Sequence, residues 1–276
     1  NKMNATQLYE QIRAKRSFLC VGLDTDVKKI PQHLMIHEDP VFEFNRAIVD
    51  ATAAYTVCYK PNAAFYESGG ALGWQSLVKT VKYIRDRYPE VLVIADAKRG
   101  DIGNTSGMYA RAFFSSMQVD AVTLSPYMGR DTVAPFLEYE GKWAVLLALT
   151  SNPSAEDFEM LKLENGTYLY EQVIRTSLEW GTEDNLMYVV GATRAEMLEG
   201  IRKIAPRHFL LVPGVGAQGG SLSEVARYGM NDRCGLLVNS SRAIIYADNG
   251  VNFARVAGER AREMQREMAG LLEGMV

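Results

Sequence analysis

Short apolar runs recur along the chain, and each is followed by a turn and by a stretch whose apolar residues lie three or four positions apart. Eight runs can be distinguished, beginning at Ser17, Thr56, Val91, Ala121, Ala144, Leu186, Phe209 and Gly235. They are nearly continuous rather than alternating, which is typical of parallel strands buried on both faces. The stretches between them have the period of amphipathic helices. The pattern therefore predicts eight strands that alternate with helices.

Eight strand–helix units in roughly 250 residues indicate an α/β fold of the (β/α)₈ TIM-barrel type. A doubly wound open sheet is the alternative, and a glycine fingerprint after the first strand would favour it. The segment after the first run, GLDTDVKK, contains no such fingerprint. No linker, low-complexity segment or shift in composition divides residues 1–276. We therefore expect a single barrel domain.

Helices are also expected at both ends of the chain. The stretch NATQLYEQIRAKR precedes the first strand and is predicted to close the bottom of the barrel, and a C-terminal helix is predicted from about Val251. Within the second half, the spacing of Thr193 with Glu196, and of Ser221 with Glu224, is that of a capping box and predicts two further helix starts.

The composition excludes several classes of protein. With 30 Lys and Arg against 33 Asp and Glu the formal charge is −3, so no general basic field indicates nucleic-acid binding. No apolar run approaches the roughly 18 residues of a membrane-spanning helix. Cys20, Cys58 and Cys234 form no CxxC pair, and we interpret them as small buried hydrophobes in a reducing compartment. The expectation is a cytoplasmic protein that binds neither membranes nor nucleic acid.

Charged residues follow three consecutive predicted strands. Asp24 ends the first, Lys60 the second, and Asp96 and Lys98 the third, with Asp101 just beyond. In a barrel these carboxyl ends form the mouth of the active site. Asp96 and Lys98 are two positions apart, so on an extended strand both side chains point to the same face. Their alternating signs allow each charge to be paired there.

A second feature of the predicted mouth is a glycine-rich segment. GVGAQGGS follows the seventh strand and leads into a helix start at Ser221, and Arg242 follows the eighth strand. Backbone N–H groups, a helix N-terminus and an arginine form a phosphate cradle, at the place where barrels commonly have one. The residues thus indicate a phosphorylated small-molecule substrate whose reacting end lies over Lys98.

The segment IADAKRGDIGNT, from Ile94 to Thr105, resembles the D-x-K-x-x-D-I-G-x-T motif of the orotidine 5′-phosphate decarboxylases, most closely their longer bacterial branch. Ser106 departs mildly from the residue that the family more often has there. The order and spacing of further residues fit this family over essentially the whole chain: Asp24, Lys60, Ser151, Gln218 and Arg242.

The resemblance implies decarboxylation of orotidine 5′-monophosphate to uridine 5′-monophosphate, the last step of pyrimidine synthesis, with no metal and no organic cofactor. By the same resemblance, Asp96 would lie against the substrate carboxylate and Lys98 would protonate C6. Lys60 and Asp24 would bind the ribose hydroxyls, with Lys60 also pairing with Asp96.

The resemblance also assigns the other positions. Asp101 and Thr105 would reach the ribose in a neighbouring subunit, which makes the expected partner a second copy of this chain in a homodimer with shared active sites. Ser151 would contact the edge of the pyrimidine, and Gln218 with Arg242 would hold the phosphate.

Two other functions stay open at this point. A Mg²⁺-dependent barrel of the keto-gulonate phosphate decarboxylase or hexulose phosphate synthase type shares Asp-x-Lys-x-x-Asp, but it has a Glu ligand where this chain has Lys60, with Glu67 seven residues further on. A non-catalytic nucleotide-binding barrel is the second, and it predicts the loss of at least one charged residue of the motif.

Overall fold

Eight parallel strands form a closed barrel in the computed structural model, which describes residues 3–216 and 221–275. Each strand pairs with the next one in the chain, and the last pairs with the first. The strands are β1 Leu19–Leu23, β2 Cys58–Pro61, β3 Leu92–Arg99, β4 Ala121–Leu124, β5 Trp143–Leu149, β6 Leu186–Val190, β7 Leu210–Val212 and β8 Leu236–Ser240. The prediction of a (β/α)₈ barrel is confirmed.

The strands are buried because helices cover the outside of the barrel and side chains fill its interior. Every residue of β1, β2, β4, β6, β7 and β8 is buried. The carboxyl end of β3 is different, since Ala97, Lys98 and Arg99 emerge toward solvent. Cys20, Cys58 and Cys234 are buried free thiols, as expected from the sequence.

Helices follow the strands in the order that the sequence predicts. They are α1 Ala5–Lys15, α2 Pro40–Thr52, α3 Ala63–Glu67, α4 Gly70–Arg87, α5 Gly103–Ala110, α6 Arg130–Leu137, α7 Leu169–Ser177, α8 Met197–Ile204, α9 Leu222–Gly229, α10 Arg242–Ile245 and α11 Phe253–Glu273. A π-helical turn, Arg111–Ser116, continues α5. Among the described residues, no helix combines the length and the apolar character that crossing a bilayer requires.

The first helix lies against the start of a barrel strand. Asn4 and Gln7 form a reciprocal capping box at its N-terminus. The indole Nε1 of Trp143, the first residue of β5, donates to the carbonyl oxygen of Met3 at 3.0 Å. This contact joins the beginning of α1 to the amino end of the sheet.

One of the two predicted helix caps is wrong. Ser221 caps α9 by accepting from the backbone N–H of Glu224 at 3.3 Å, as predicted. Thr193 instead lies in a 3₁₀ turn, Ala192–Arg194, and α8 begins at Met197 without a side-chain cap. The Thr193 hydroxyl donates to the carbonyl oxygen of Ser151 at 3.5 Å, so a contact between two loops replaces the helix cap.

Candidate active site

The carboxyl ends of several strands surround a cavity of about 190 Å³ at the mouth of the barrel. Its lining combines charged side chains at the ends of β1, β2 and β3 with residues that follow β7 and residues at the end of β8 and just beyond it. The lining residues are Asp24, Lys60, Asn62, Asp96, Pro213, Gly214, Val215, Asn239, Ser240, Ser241, Arg242 and Ala243. The structure thus brings together most of the residues that the sequence placed at strand ends.

Lys60, Asp96 and Lys98 form a continuous ion-paired group, which we call the Lys–Asp–Lys triad. Lys60 Nζ donates to Asp96 Oδ2 at 2.7 Å, and Lys98 Nζ donates to Asp96 Oδ1 at 2.6 Å. The side chains of Lys60 and Asp96 are 6% and 8% exposed, whereas that of Lys98 is 50% exposed. One ammonium is therefore fixed inside the barrel and the other faces the opening.

The electrostatics of the triad keep its buried members charged. Burial raises the pKa of the Asp96 carboxyl, but attraction to Lys60 and Lys98 outweighs burial and holds that pKa below its usual range. Burial lowers the pKa of the Lys60 ammonium, while Asp96 and Asp24 raise it more, so the net shift is upward. At neutral pH the cluster presents Asp96 as a carboxylate and Lys60 as an ammonium.

The route by which Lys98 meets Asp96 differs from the prediction. An extended strand was expected to bring the two side chains to one face, but Lys98 has left-handed backbone, with φ of 48°. The pairing of β3 with β4 is irregular here, because Ala95 pairs with Val122 and Arg99 with Leu124. Four steps along β3 thus correspond to two along β4, which is a bulge that redirects the Lys98 side chain.

Asp24 lies beside the triad at the junction of β1 and β8. Burial raises the pKa of its carboxyl, and attraction to Lys60 opposes that shift. Gly22 allows the end of β8 to approach, since a Cβ at that position would meet Ser241 Oγ at 1.8 Å. Asp24 Oδ1 and Asn239 Oδ1 are buried acceptors with no hydrogen-bond partner among the described residues. Two free acceptors that line one cavity match the hydroxyl donors of a polar ligand.

Arg242 begins α10, directly after β8, lines the same cavity and is exposed. Within the described ranges its guanidinium has no hydrogen-bond or salt-bridge partner, so it is available to an anion. Gln218 lies outside the described residues, so its predicted place beside Arg242 stays a prediction.

Ser151 follows β5 at the start of the long loop that leads to α7. Glu159 in this loop bonds to the end of β5. Its carboxylate accepts from the backbone N–H of Thr150 at 2.6 Å and from the Thr150 hydroxyl at 2.7 Å. Arg194 pairs with Glu156 from the loop after β6 at 3.2 Å. Ser151 is therefore held between two loops, and it makes no side-chain bond to the triad.

Asp101 and Thr105 are not part of the cavity in their own chain. Asp101 Oδ1 accepts from the backbone N–H of Ile102 at 2.7 Å, and Thr105 is exposed on α5. The ten-residue motif thus divides after Gly100, with Asp96 and Lys98 in the triad and Asp101 and Thr105 on the outside of the mouth.

Two polar residues that lie at the site were not identified from the sequence. Asn239 ends the apolar run of β8, and Thr123 is the polar residue of β4, where it is 1% exposed. A polar side chain within a strand that is otherwise apolar was the available signal, because such a group needs a partner.

Comparison with known proteins agrees with this geometry. The sequence model described as "Orotidine 5'-phosphate decarboxylase / HUMPS family" matches residues 17–257. Relatives named orotidine 5′-phosphate decarboxylase are 62% identical in Phocaeicola vulgatus and 64% identical in Parabacteroides distasonis, each over 270 residues. These alignments cover 98% of this chain, with 99% and 96% of the respective relatives.

A solved structure is similar over the same extent. The structure of Leishmania donovani OMP decarboxylase is 35% identical and superposes with a TM-score of 0.82, covering 97% of this chain and 100% of that one. Both the sequence and the barrel are thus shared over nearly the full length, and the chain belongs to the orotidine 5′-phosphate decarboxylase family.

Proposed function

We propose that the Lys–Asp–Lys triad is where this chain decarboxylates orotidine 5′-monophosphate to uridine 5′-monophosphate. This is the reaction for which its family and its relatives are named, and it makes the chain a lyase of pyrimidine biosynthesis. The observation that carries the assignment of the site is the ion-paired group itself. A buried carboxylate is held between one fixed ammonium and one that faces the opening.

The chemistry needs a cation that is also an acid. When the bond from C6 to the carboxylate breaks, CO₂ leaves and the electron pair stays on C6, in the plane of the ring, where it cannot overlap with the π system of the ring. A fixed ammonium beside that charge stabilises it and delivers the proton that completes the product. Lys98 Nζ is in this position, and its half-exposed side chain regains a proton from solvent afterwards.

Asp96 positions Lys98 and lies where the substrate carboxylate leaves. Its ionised form brings a negative charge close to that carboxylate, which is unfavourable before the bond breaks and is relieved as CO₂ departs. The phosphate at the other end of the substrate supplies binding energy that can offset this placement.

The remaining residues bind the rest of the nucleotide. Asp24, whose Oδ1 is buried and free, accepts hydrogen bonds from the ribose hydroxyls. Lys60 donates hydrogen bonds to these hydroxyls. Arg242, together with Gln218, holds the phosphate, and Ser151 contacts the edge of the pyrimidine. The free guanidinium of Arg242 on the cavity supports the phosphate assignment.

The active unit in this proposal is a homodimer. Asp101 and Thr105 do not line the cavity of their own chain, and we assign them to the ribose of the partner subunit. Apolar side chains next to them in the sequence are exposed, namely those of Ile102 and Met108. An exposed apolar patch beside polar groups of this kind is typical of a protein–protein interface.

A magnesium-dependent reaction has less support from the geometry. The end of β2 presents Lys60, which is paired with Asp96, and an ammonium cannot bind Mg²⁺. The Glu67 carboxylate, the nearest substitute in sequence, pairs with Arg99 instead. The proposal accordingly assigns no step to a metal.

The test is turnover of orotidine 5′-monophosphate in excess EDTA, followed by loss of the orotate chromophore. We expect wild-type protein to be active and Lys98→Ala to lose at least about 10³-fold in kcat/KM, because both the stabilising cation and the proton donor are gone. Lys82→Ala is the matched control, since Lys82 pairs with Asp86 on the exposed surface of α4. It should retain wild-type activity.

The possible failures are distinguishable. Absence of wild-type turnover would refute the substrate, and turnover that survives Lys98→Ala would refute the triad as the site. Activity that EDTA abolishes and Mg²⁺ restores would favour the magnesium-dependent alternative.

A further inference from the structure

Thr123 joins the two functional parts of β3 from the neighbouring strand. Its Oγ1 donates to Asp96 Oδ1 at 2.9 Å and accepts from the backbone N–H of Lys98 at 3.0 Å. Thr123 is 1% exposed, so its hydroxyl is shielded from solvent. A single hydroxyl therefore contacts both the carboxylate of the triad and the backbone that carries its outer ammonium.

The hydrogen bond from the Lys98 N–H to Thr123 lies where the backbone of Lys98 is strained. Left-handed backbone is unfavourable for a residue with a Cβ, and such residues persist where surrounding bonds determine their conformation. The bulge between Ala95 and Arg99 removes the ladder partner that the Lys98 N–H would have in a regular sheet. Thr123 replaces that partner, and the Arg99 carbonyl resumes the ladder by accepting from Ser125 N at 2.8 Å.

The contact to Asp96 acts on the carboxylate. Asp96 Oδ1 accepts from Lys98 Nζ and from Thr123, while Oδ2 accepts from Lys60. At Oδ1, the Lys98 ammonium sits at the end of a long, half-exposed side chain, whereas the Thr123 hydroxyl belongs to a short side chain on a buried strand. The threonine is therefore the rigid donor to Oδ1, as the buried Lys60 is to Oδ2.

We propose that Thr123 is a positioning residue for the decarboxylation, which holds Asp96 and Lys98 in register through one hydroxyl that donates to the first and accepts from the second. This inference rests on the proposed function of the triad. Thr123 does not touch the phosphate or ribose side of the cavity, so its role concerns the chemical step rather than binding of the nucleotide.

The experiment compares Thr123→Val, which keeps the shape and loses the hydroxyl, with Thr123→Ser, which keeps the hydroxyl. We expect Thr123→Val to lower kcat about 10- to 100-fold, because the Lys98 N–H and Asp96 Oδ1 both lose the hydroxyl that holds them and the triad loosens. KM, and the affinity for uridine 5′-monophosphate, which lacks the reacting carboxylate, should change less than about threefold. Thr123→Ser should remain within about fivefold of wild type in kcat.

A matched control separates this effect from a general loss of stability. Thr52→Val removes a buried hydroxyl that bonds to Ile48 and Tyr59 on the outer side of the barrel, and it should leave kcat unchanged. If Thr123→Val does not fold, Thr123→Ala provides the same comparison with Thr123→Ser.

Three results would overturn the inference while wild-type protein is active and sensitive to Lys98→Ala. These are an unchanged kcat in Thr123→Val, a parallel loss of uridine 5′-monophosphate affinity and kcat, and a failure of Thr123→Ser to retain activity. Inactive wild-type protein would instead refute the proposed function.

Discussion

At the scale of single residues, the charges of the Lys–Asp–Lys triad are stable because each one is paired with an opposite charge. Asp96 is deeply buried, and an isolated carboxylate there would be neutral, since burial favours the protonated form. Two ammonium groups within 2.7 Å reverse that preference. Removing one member of such a group costs more than its contacts suggest, because it leaves the others buried and unpaired.

A different buried residue, His208, should make stability depend on pH. It is 8% exposed, and both ring nitrogens lack hydrogen-bond partners among the described residues. Burial lowers the pKa of its imidazole to about 4; Glu183 opposes the shift and Arg202 and Arg207 add to it. Below about pH 6.5 the unfolded chain therefore binds a proton that the folded chain does not bind until about pH 4.

The free energy of unfolding should thus fall as pH decreases from about 6.5 to about 4, with a contribution from His208 of up to roughly 3 kcal/mol. Urea unfolding of wild-type and His208→Leu protein at both pH values measures this contribution as the difference between their pH dependences. His37→Leu, at an exposed histidine, is the control and should behave like wild type. Equal pH dependence in wild type and His208→Leu would contradict the prediction.

At the scale of elements, β3 and the segment after β5 depart from regular structure at the carboxyl ends of their strands. The bulge in β3 and the left-handed Lys98 could not be read from the sequence, because the apolar run predicts only an extended strand. The spacing of Asp96 and Lys98 nevertheless predicted that the two side chains meet, and they form an ion pair at 2.6 Å.

The loop after β5 gives a prediction at this scale. Glu159→Ala removes the carboxylate that accepts from the N–H and hydroxyl of Thr150, so the loop should open more often. Hydrogen exchange at the Thr150 amide should accelerate about 10-fold or more. KM for orotidine 5′-monophosphate should rise, because Ser151, which we propose contacts the pyrimidine, directly follows Thr150.

Glu164→Ala is the matched control, because Glu164 is an exposed acid of the same loop. It should leave both the exchange rate and KM as in wild type. Unchanged exchange at Thr150 in Glu159→Ala would show that the loop is held by other contacts.

At the scale of the whole molecule, the site is expected to be complete only in a dimer. Mixing inactive Lys98→Ala with inactive Asp101→Ala should restore part of the activity, because a mixed dimer contains one site with both native residues. The measurement is decarboxylation after subunit exchange has been demonstrated by a mass-tagged subunit. If activity does not recover although the subunits exchange, the sites are not shared. Tagged and untagged wild-type protein, mixed in the same way, gives the reference activity.

The sequence by itself determined the barrel and most of the site. Buried parallel strands must be apolar throughout, so their number and order appear directly in the pattern, and the charges that end them mark the mouth. Asp24, Lys60, Asp96 and Arg242 line one cavity, and Lys98 pairs with Asp96.

Only the tertiary structure decided how the site is held. The left-handed Lys98, the two bonds of Thr123 and the contact of Thr193 with Ser151 depend on neighbouring strands and loops. Local sequence does not encode such contacts, because a hydroxyl bonds to whichever donor or acceptor the fold brings within about 3 Å.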